Sequence, residues 1–181
     1  MSSDTGYRVL RHILNNHQPK GWAIEFGVYT GQSLRLIAEY MPVIGLDSFE
    51  GLPEDWRPGF PKGKFGTQRI IPHAPGNAMI VKGLFSDTLP VLVERGLPPL
   101  GLVHIDCDLY SSTVTALEGV RDAIRPGTCV VFDEYHGYEG SEAHEAAAWQ
   151  EFCQRYVVVA EQVAEGPQEA AFVITGMGGS H

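Results

Sequence analysis

Hydrophobic and polar positions change period repeatedly along the 181 residues of the chain, and each change marks an element. Residues 4–16 set Val9, Leu10, Ile13 and Leu14 on one face at helical spacing, which predicts an opening helix. GWAIEF (21–26) predicts a strand, a glycine-containing turn follows, and SLRLIAEY (33–40) predicts a helix. PVIGLD (42–47) and AMIVKG (78–83) predict two more strands, and SDTLPVLVERG (86–96) a helix opened by Ser86 or Asp87. LVHID (102–106) predicts a fourth strand, followed by a helix from Ser111 or Ser112 to about Ile124 that Arg125-Pro126-Gly127 ends. TCVVFDEY (128–135) predicts a fifth strand, and residues 141–155 an Ala-rich helix. RYVVVAE (155–161) and AAFVITG (170–176) are close enough to pair as an antiparallel hairpin. Residues 48–77 are rich in Gly, Pro and aromatics and carry no period. A loop of that length is more often functional than idle.

Continuous apolar strands alternating with helices predict an α/β fold in a single domain over residues 1–181. Its sheet is mostly parallel and seven-stranded, with helices on both faces and the antiparallel hairpin at the C-terminal end. In such sheets ligands bind beyond the carboxyl ends of the strands. Those ends carry Glu25, Asp47, Asp106 with Asp108, and Asp133 with Glu134, so acids collect on one edge.

The formal net charge is −9 and Lys and Arg are scattered, which argues against nucleic acid or an anionic membrane as the main partner. The N-terminal segment has no apolar signal core, and no stretch reaches bilayer-spanning length. Three cysteines, none at metal-site spacing, fit a reduced, cytoplasmic protein.

The turn Glu25-Phe-Gly27-Val-Tyr29-Thr-Gly31-Gln-Ser33 departs from a diphosphate-binding G-x-G-x-x-G, because its middle glycine is absent. Glu25 would repel a diphosphate but attract a sulfonium or an amino group. Asp47 is placed to accept ribose hydroxyls. The two acids together fit S-adenosylmethionine better than NAD. Asp106 and Asp108 project to the same side if the strand continues. Capping of the next helix explains one of them at most, since Ser111 or Ser112 fills that role. His104 reads as a core residue and His136 as a loop residue near Asp133. Phe49, Trp56, Phe60 and Phe65 either close over ligands as a lid or pin their own loop to the surface.

EFGVYTGQS, LDSFEGLPE (46–54), KGLFSDTLP (82–90), HIDCDLYSST (104–113) and VVFDEY (130–135), in this order, resemble the macrocin O-methyltransferase family. These are class I methyltransferases of Rossmann-like fold that act on sugar hydroxyls of natural products. The resemblance implies S-adenosylmethionine as donor, a divalent cation, usually Mg2+, and a small-molecule hydroxyl acceptor. It places Asp106, Asp133 and Glu134 at the metal positions and Asp108 at a proposed general base. Glu25, Gly27, Tyr29, Gly31, Ser33, Asp47 and Ser48 fall in the donor-binding segments, Gly83, Phe85 and Ser86 border the adenine, and Asp106 also faces the donor. Glu134 stands where an Asp is expected. The carboxylates supply charge without thiols or imidazoles, and crowding among them raises a carboxyl pKa and makes it a better base.

Two other readings stay open. One is a haloacid-dehalogenase-like Mg2+-dependent phosphatase, whose D-x-D motif normally lies on the first strand. The other is a catalytically inactive S-adenosylmethionine-binding domain. The oligomeric state also stays open, a homodimer or larger homo-oligomer included.

Overall fold

A computed structural model describes residues 6–178. Its strands are β1 (Trp22–Phe26), β2 (Val43–Asp47), β3 (Ala78–Lys82), β4 (Leu100–Ile105), β5 (Cys129–Phe132), β6 (Val159–Glu165) and β7 (Ala170–Gly176). The helices are α1 (Arg8–Asn16), α2 (Gln32–Ala38), α3 (Phe85–Glu94), α4 (Tyr110–Val120) and α5 (Glu145–Tyr156). The strands form one sheet in the order β3-β2-β1-β4-β5-β7-β6. β1 to β5 are parallel, and β7 runs antiparallel to both β5 and β6. The mostly parallel α/β sheet with its terminal hairpin is as the residue pattern predicts.

Side-chain alternation splits the strands between two apolar layers. Ile24, Phe26, Val103, Ile105, Val130 and Phe132 face a layer that contains Leu117 and Val120 of α4 and Trp149 and Phe152 of α5. Ala23, Leu102, Cys129 and Val131 face the opposite layer with Val9, Leu10 and Ile13 of α1 and Leu34 and Ile37 of α2. Both faces are therefore covered, which is why the strands read as continuous apolar runs. Among the described residues, no helix is long and apolar enough to cross a membrane.

Several boundaries differ from the sequence reading. The last hairpin begins at Val159 rather than 155, because α5 continues to Tyr156 and a left-handed Val157 (φ 52°) breaks it. Helix α3 starts at Phe85 with Leu84 at its N-cap, so neither Ser86 nor Asp87 caps it. Helix α4 spans Tyr110–Val120, with Leu109 at the N-cap and no side-chain cap. Ser111 and Ser112 lie inside that helix. Residues 4 and 5 of the predicted opening helix lie outside the described residues.

Candidate active site

The site is built where β1 and β4 end side by side. Asp106 N–H donates to the Phe26 carbonyl at 2.9 Å, extending the ladder by one residue. Gly27, the next residue on β1, has φ +95°, and a Cβ there would sit 1.8 Å from the Asp106 carbonyl oxygen. Glycine is required here by the close passage of the two strand ends. The turn that follows is held by Asp47 at the end of β2. Its Oδ2 accepts Val28 N–H at 2.9 Å and Tyr29 N–H at 2.7 Å, and its Oδ1 accepts Phe49 N–H at 2.7 Å. A carboxylate offers about four lone-pair sites, so three backbone bonds leave about one for a ligand.

A cavity of about 410 Å³ lies over these strand ends. Of the residues singled out from the sequence, Gly27, Tyr29, Asp47, Ser48, Gly83, Phe85, Ser86, Asp106, Asp108, Asp133 and Glu134 line it. Glu25, Gly31 and Ser33 do not. Gly31 is the left-handed N-cap of α2 (φ 77°). Ser33 is buried. Glu25 is fully buried, its Oε1 2.9 Å from His104 Nδ1. The strand-end position that suggested a donor contact for Glu25 leaves it one layer beneath the cavity wall.

The two aspartates of the D-x-D segment do not share a side by strand alternation. The strand stops at Ile105, and Asp108 takes a left-handed conformation (φ 65°), which Asp tolerates better than most residues. Asp108 nonetheless reaches the cavity, because the turn folds back: Leu109 N–H donates to the Cys107 carbonyl at 2.6 Å. Nor does a serine cap the next helix. The Ser111 hydroxyl donates instead to Glu54 Oε1 at 2.5 Å, tying the helix to the 48–77 segment.

The carboxylates here are crowded. Burial, then Asp133, Asp108 and Glu25, push Asp106 well above the usual carboxylate range. Burial, then Glu134 and Asp133, push Asp108 up to about 7. Glu134 is raised to about 7 by burial and Asp133. Asp133 is raised by burial, with His104 pulling it back. The positive charge of Arg57 draws Asp108 and Glu134 down.

Three contributors were not apparent in the sequence. Glu145, at the start of α5, is fully buried and accepts Asp108 N–H at 3.3 Å through Oε1 and Glu134 N–H at 3.2 Å through Oε2. One side chain thus holds both acidic loops. Tyr7 lines the cavity, its hydroxyl pKa pushed up to about 12 by burial and by Asp106. Arg57 lies over the rings of Trp56, Tyr138 and Phe60 at 4.1, 4.3 and 4.5 Å. Those rings pin the 48–77 segment, while its Gly51, Leu52, Pro53 and Phe65 line the cavity. The segment is both pinned and part of the pocket wall. An alternating apolar signal marks none of these three: Glu145 and Tyr7 meet groups distant in sequence, and Arg57 lies in a segment without a period.

The donor set fits a divalent cation. One ring nitrogen of His104 and one carboxylate oxygen each of Asp106 and Asp133 lie within 4.8 Å of one another. Glu134 lines the cavity beside them without joining that group. Buried atoms without a protein partner cluster here as well: His104 Nε2, Glu25 Oε2 and Glu134 Oε2. Native structures rarely leave such atoms unsatisfied, and a cation among crowded acids resolves their repulsion.

A parallel sheet with a reversed seventh strand and a cavity over β1, β2, β4 and β5 defines a Rossmann-like fold of the methyltransferase type. A family model described as a methyltransferase domain matches residues 24–135, more than half of the chain, and the protein belongs to that family. A curated relative from Streptomyces olivaceus, 8-demethyl-8-(2,3-dimethoxy-alpha-L-rhamnosyl)-tetracenomycin-C 4'-O-methyltransferase, is 42% identical over 55 residues. That stretch is 29% of this chain and spans 19% of the relative's length. The O-methyltransferase NovP has a similar structure, with a TM-score of 0.70 at 19% identity over 92% of this chain and 76% of that one. The MycE methyltransferase of the mycinamycin biosynthetic pathway, in complex with Mg and S-adenosylhomocysteine, gives 0.59 at 17% identity over 92% of this chain and 48% of that one. These two likenesses establish the shared fold.

Proposed function

We propose that the protein is an S-adenosylmethionine-dependent O-methyltransferase of the macrocin type, acting on a hydroxyl of a small molecule such as a natural-product sugar with help from a divalent cation. The observation that carries this reading is one continuous cavity. At one end stand Asp47, Ser48 and the Gly83–Ser86 stretch, and at the other Asp106, Asp108, Asp133 and Glu134. A donor and an acceptor bound in one cavity meet without diffusing, which is the main requirement of a transfer between two small molecules. The family membership, the sugar O-methyltransferase among the relatives and the Mg-bound complex of a structural neighbour support it.

When bound, S-adenosylmethionine supplies a methyl group on a cationic sulfur, and a divalent cation supplies a charge that acidifies and orients the acceptor hydroxyl. The chain does the rest. Asp47 and Ser48 take the ribose, with Gly83, Phe85 and Ser86 against the adenine. Asp106 and Asp133 hold the cation. Asp108, with its pKa near neutrality, accepts the hydroxyl proton at a carboxylate oxygen. Glu145 keeps the Asp108 and Glu134 loops in register, and Leu52, Pro53 and Phe65 form part of the cavity wall.

The test is transfer of labelled methyl from S-adenosylmethionine to a panel of free and glycosidically bound deoxysugars. The expected result is transfer that stops with a chelator and returns with added cation. Transfer that survives exhaustive chelation removes the cation from the reading. A chain that binds no S-adenosylhomocysteine overturns the reading altogether.

A further inference from the structure

The apolar layer between the sheet and helices α1 and α2 contains a polar pair for which methyl transfer alone has no use. Glu25 on β1 and His104 on β4 are register partners, and both side chains are completely buried. His104 Nδ1 lies 2.9 Å from Glu25 Oε1. An ionised carboxylate only accepts, so in the neutral ring the proton sits on Nδ1 and Nε2 keeps its lone pair. Nε2 is buried and meets no protein partner. Asp106 and Asp133 follow β4 and β5 and each bring a carboxylate oxygen within 4.8 Å of a His104 ring nitrogen. With Nδ1 committed to Glu25, Nε2 is the nitrogen free to join them.

We propose that His104 Nε2 is a ligand of the cation, that Glu25 orients the ring through Nδ1, and that this nitrogen–oxygen set selects a first-row transition ion such as Mn2+ over Mg2+. The proposal rests on the cation-assisted reading above. A metal-bound histidine almost always gives its other ring N–H to a carboxylate or carbonyl, which fixes the tautomer and makes the free nitrogen a better ligand. Mg2+ demands hard oxygen ligands, whereas first-row transition ions also take imidazole. Mn2+ is the weakest binder among them, so a preference for it over Mg2+ is the stringent form of the test. Glu25 then serves the cation end of the cavity from the layer beneath it.

The experiment uses the full chain loaded with Mn2+. Electron spin-echo modulation on the wild-type protein reports directly whether a nitrogen binds the ion, so no variant is needed to detect it. Calorimetry with Mn2+ and with Mg2+ gives the preference, and S-adenosylhomocysteine binding shows that each variant is folded. The expected result is nitrogen modulation in the wild type, and Mn2+ bound at least about tenfold more tightly than Mg2+. His104→Gln should lose the modulation. Glu25→Gln should keep it while weakening Mn2+ by about 10–100-fold. Mn2+ bound without nitrogen modulation overturns the inference and leaves the cation-assisted reading standing. Failure of the wild type to bind either ion overturns both.

Discussion

The two ends of the cavity treat a carboxylate in opposite ways. At the donor end, Asp47 accepts three backbone N–H groups and is satisfied by the chain itself. At the other end stand Asp106, Asp108, Asp133 and Glu134, all raised above the usual carboxylate range by burial, with repulsion from neighbouring acids adding to it at Asp106, Asp108 and Glu134. Backbone amides stabilise an anion where it stands and leave the turn rigid. Carboxylates stacked without such donors are stable only protonated or around a cation. One end is thus a finished cradle, and the other is a site whose energetics need a visitor.

The sharpest way to break this contrast is at Asp108. Asp108→Asn removes the proton acceptor and should lower turnover by about 10²–10⁴-fold, leaving S-adenosylhomocysteine affinity unchanged. Asp106→Asn should instead lose cation affinity and be partly rescued by excess cation. Equal rescue of both variants would make Asp108 a ligand and send the search for the base elsewhere, with His136 the next candidate.

At the finished end, Asp47→Ala strips three backbone groups of their acceptor. Each charge-assisted bond contributes about 1.5–3 kcal/mol, so both melting temperature and S-adenosylhomocysteine affinity should fall. Unchanged values in both would show that the turn holds itself. Glu145→Gln is a milder probe. An amide NH2 must then face one of two backbone N–H groups, at a cost of about 1–3 kcal/mol. Cation affinity and turnover should drop while donor affinity holds. Loss of donor affinity instead would mean that the two ends are mechanically one.

How far the sequence carries this picture differs between the ends. The central parallel strands follow from apolar runs such as VIGLD and LVHI, because a strand covered on both faces is mostly apolar. Asp47 and the D-x-D segment are visible for the same reason, as acids that break such runs. Alternation fails beyond Asp106, where the left-handed Asp108 turns the chain. Glu145 lies 37 residues from Asp108 in sequence, so local pattern carries no trace of their bond. Glu25 and His104 are legible singly, as polar interruptions, but only the β1–β4 register makes them a pair.

A smaller effect follows from protonation. Asp108 and Glu134 have folded pKa values of about 7, against about 4 in an unfolded chain. Between those limits the folded state binds more protons than the unfolded state. The stability these groups contribute is therefore full below about pH 4 and is lost as pH rises through about 7. A cation substitutes for the missing protons. Thermal shift with saturating Mn2+ should be larger near pH 8 than near pH 5, and an equal shift at both would place the ion away from these acids.

The most direct test of the contrast is calorimetric titration of S-adenosylhomocysteine into the wild-type chain, first with a chelator present and then with a divalent cation. The cradle held by Asp47 needs no ion, so one molecule per chain should bind in the presence of chelator with nearly the affinity seen with cation. Binding that appears only with cation, or in neither condition, would contradict the account.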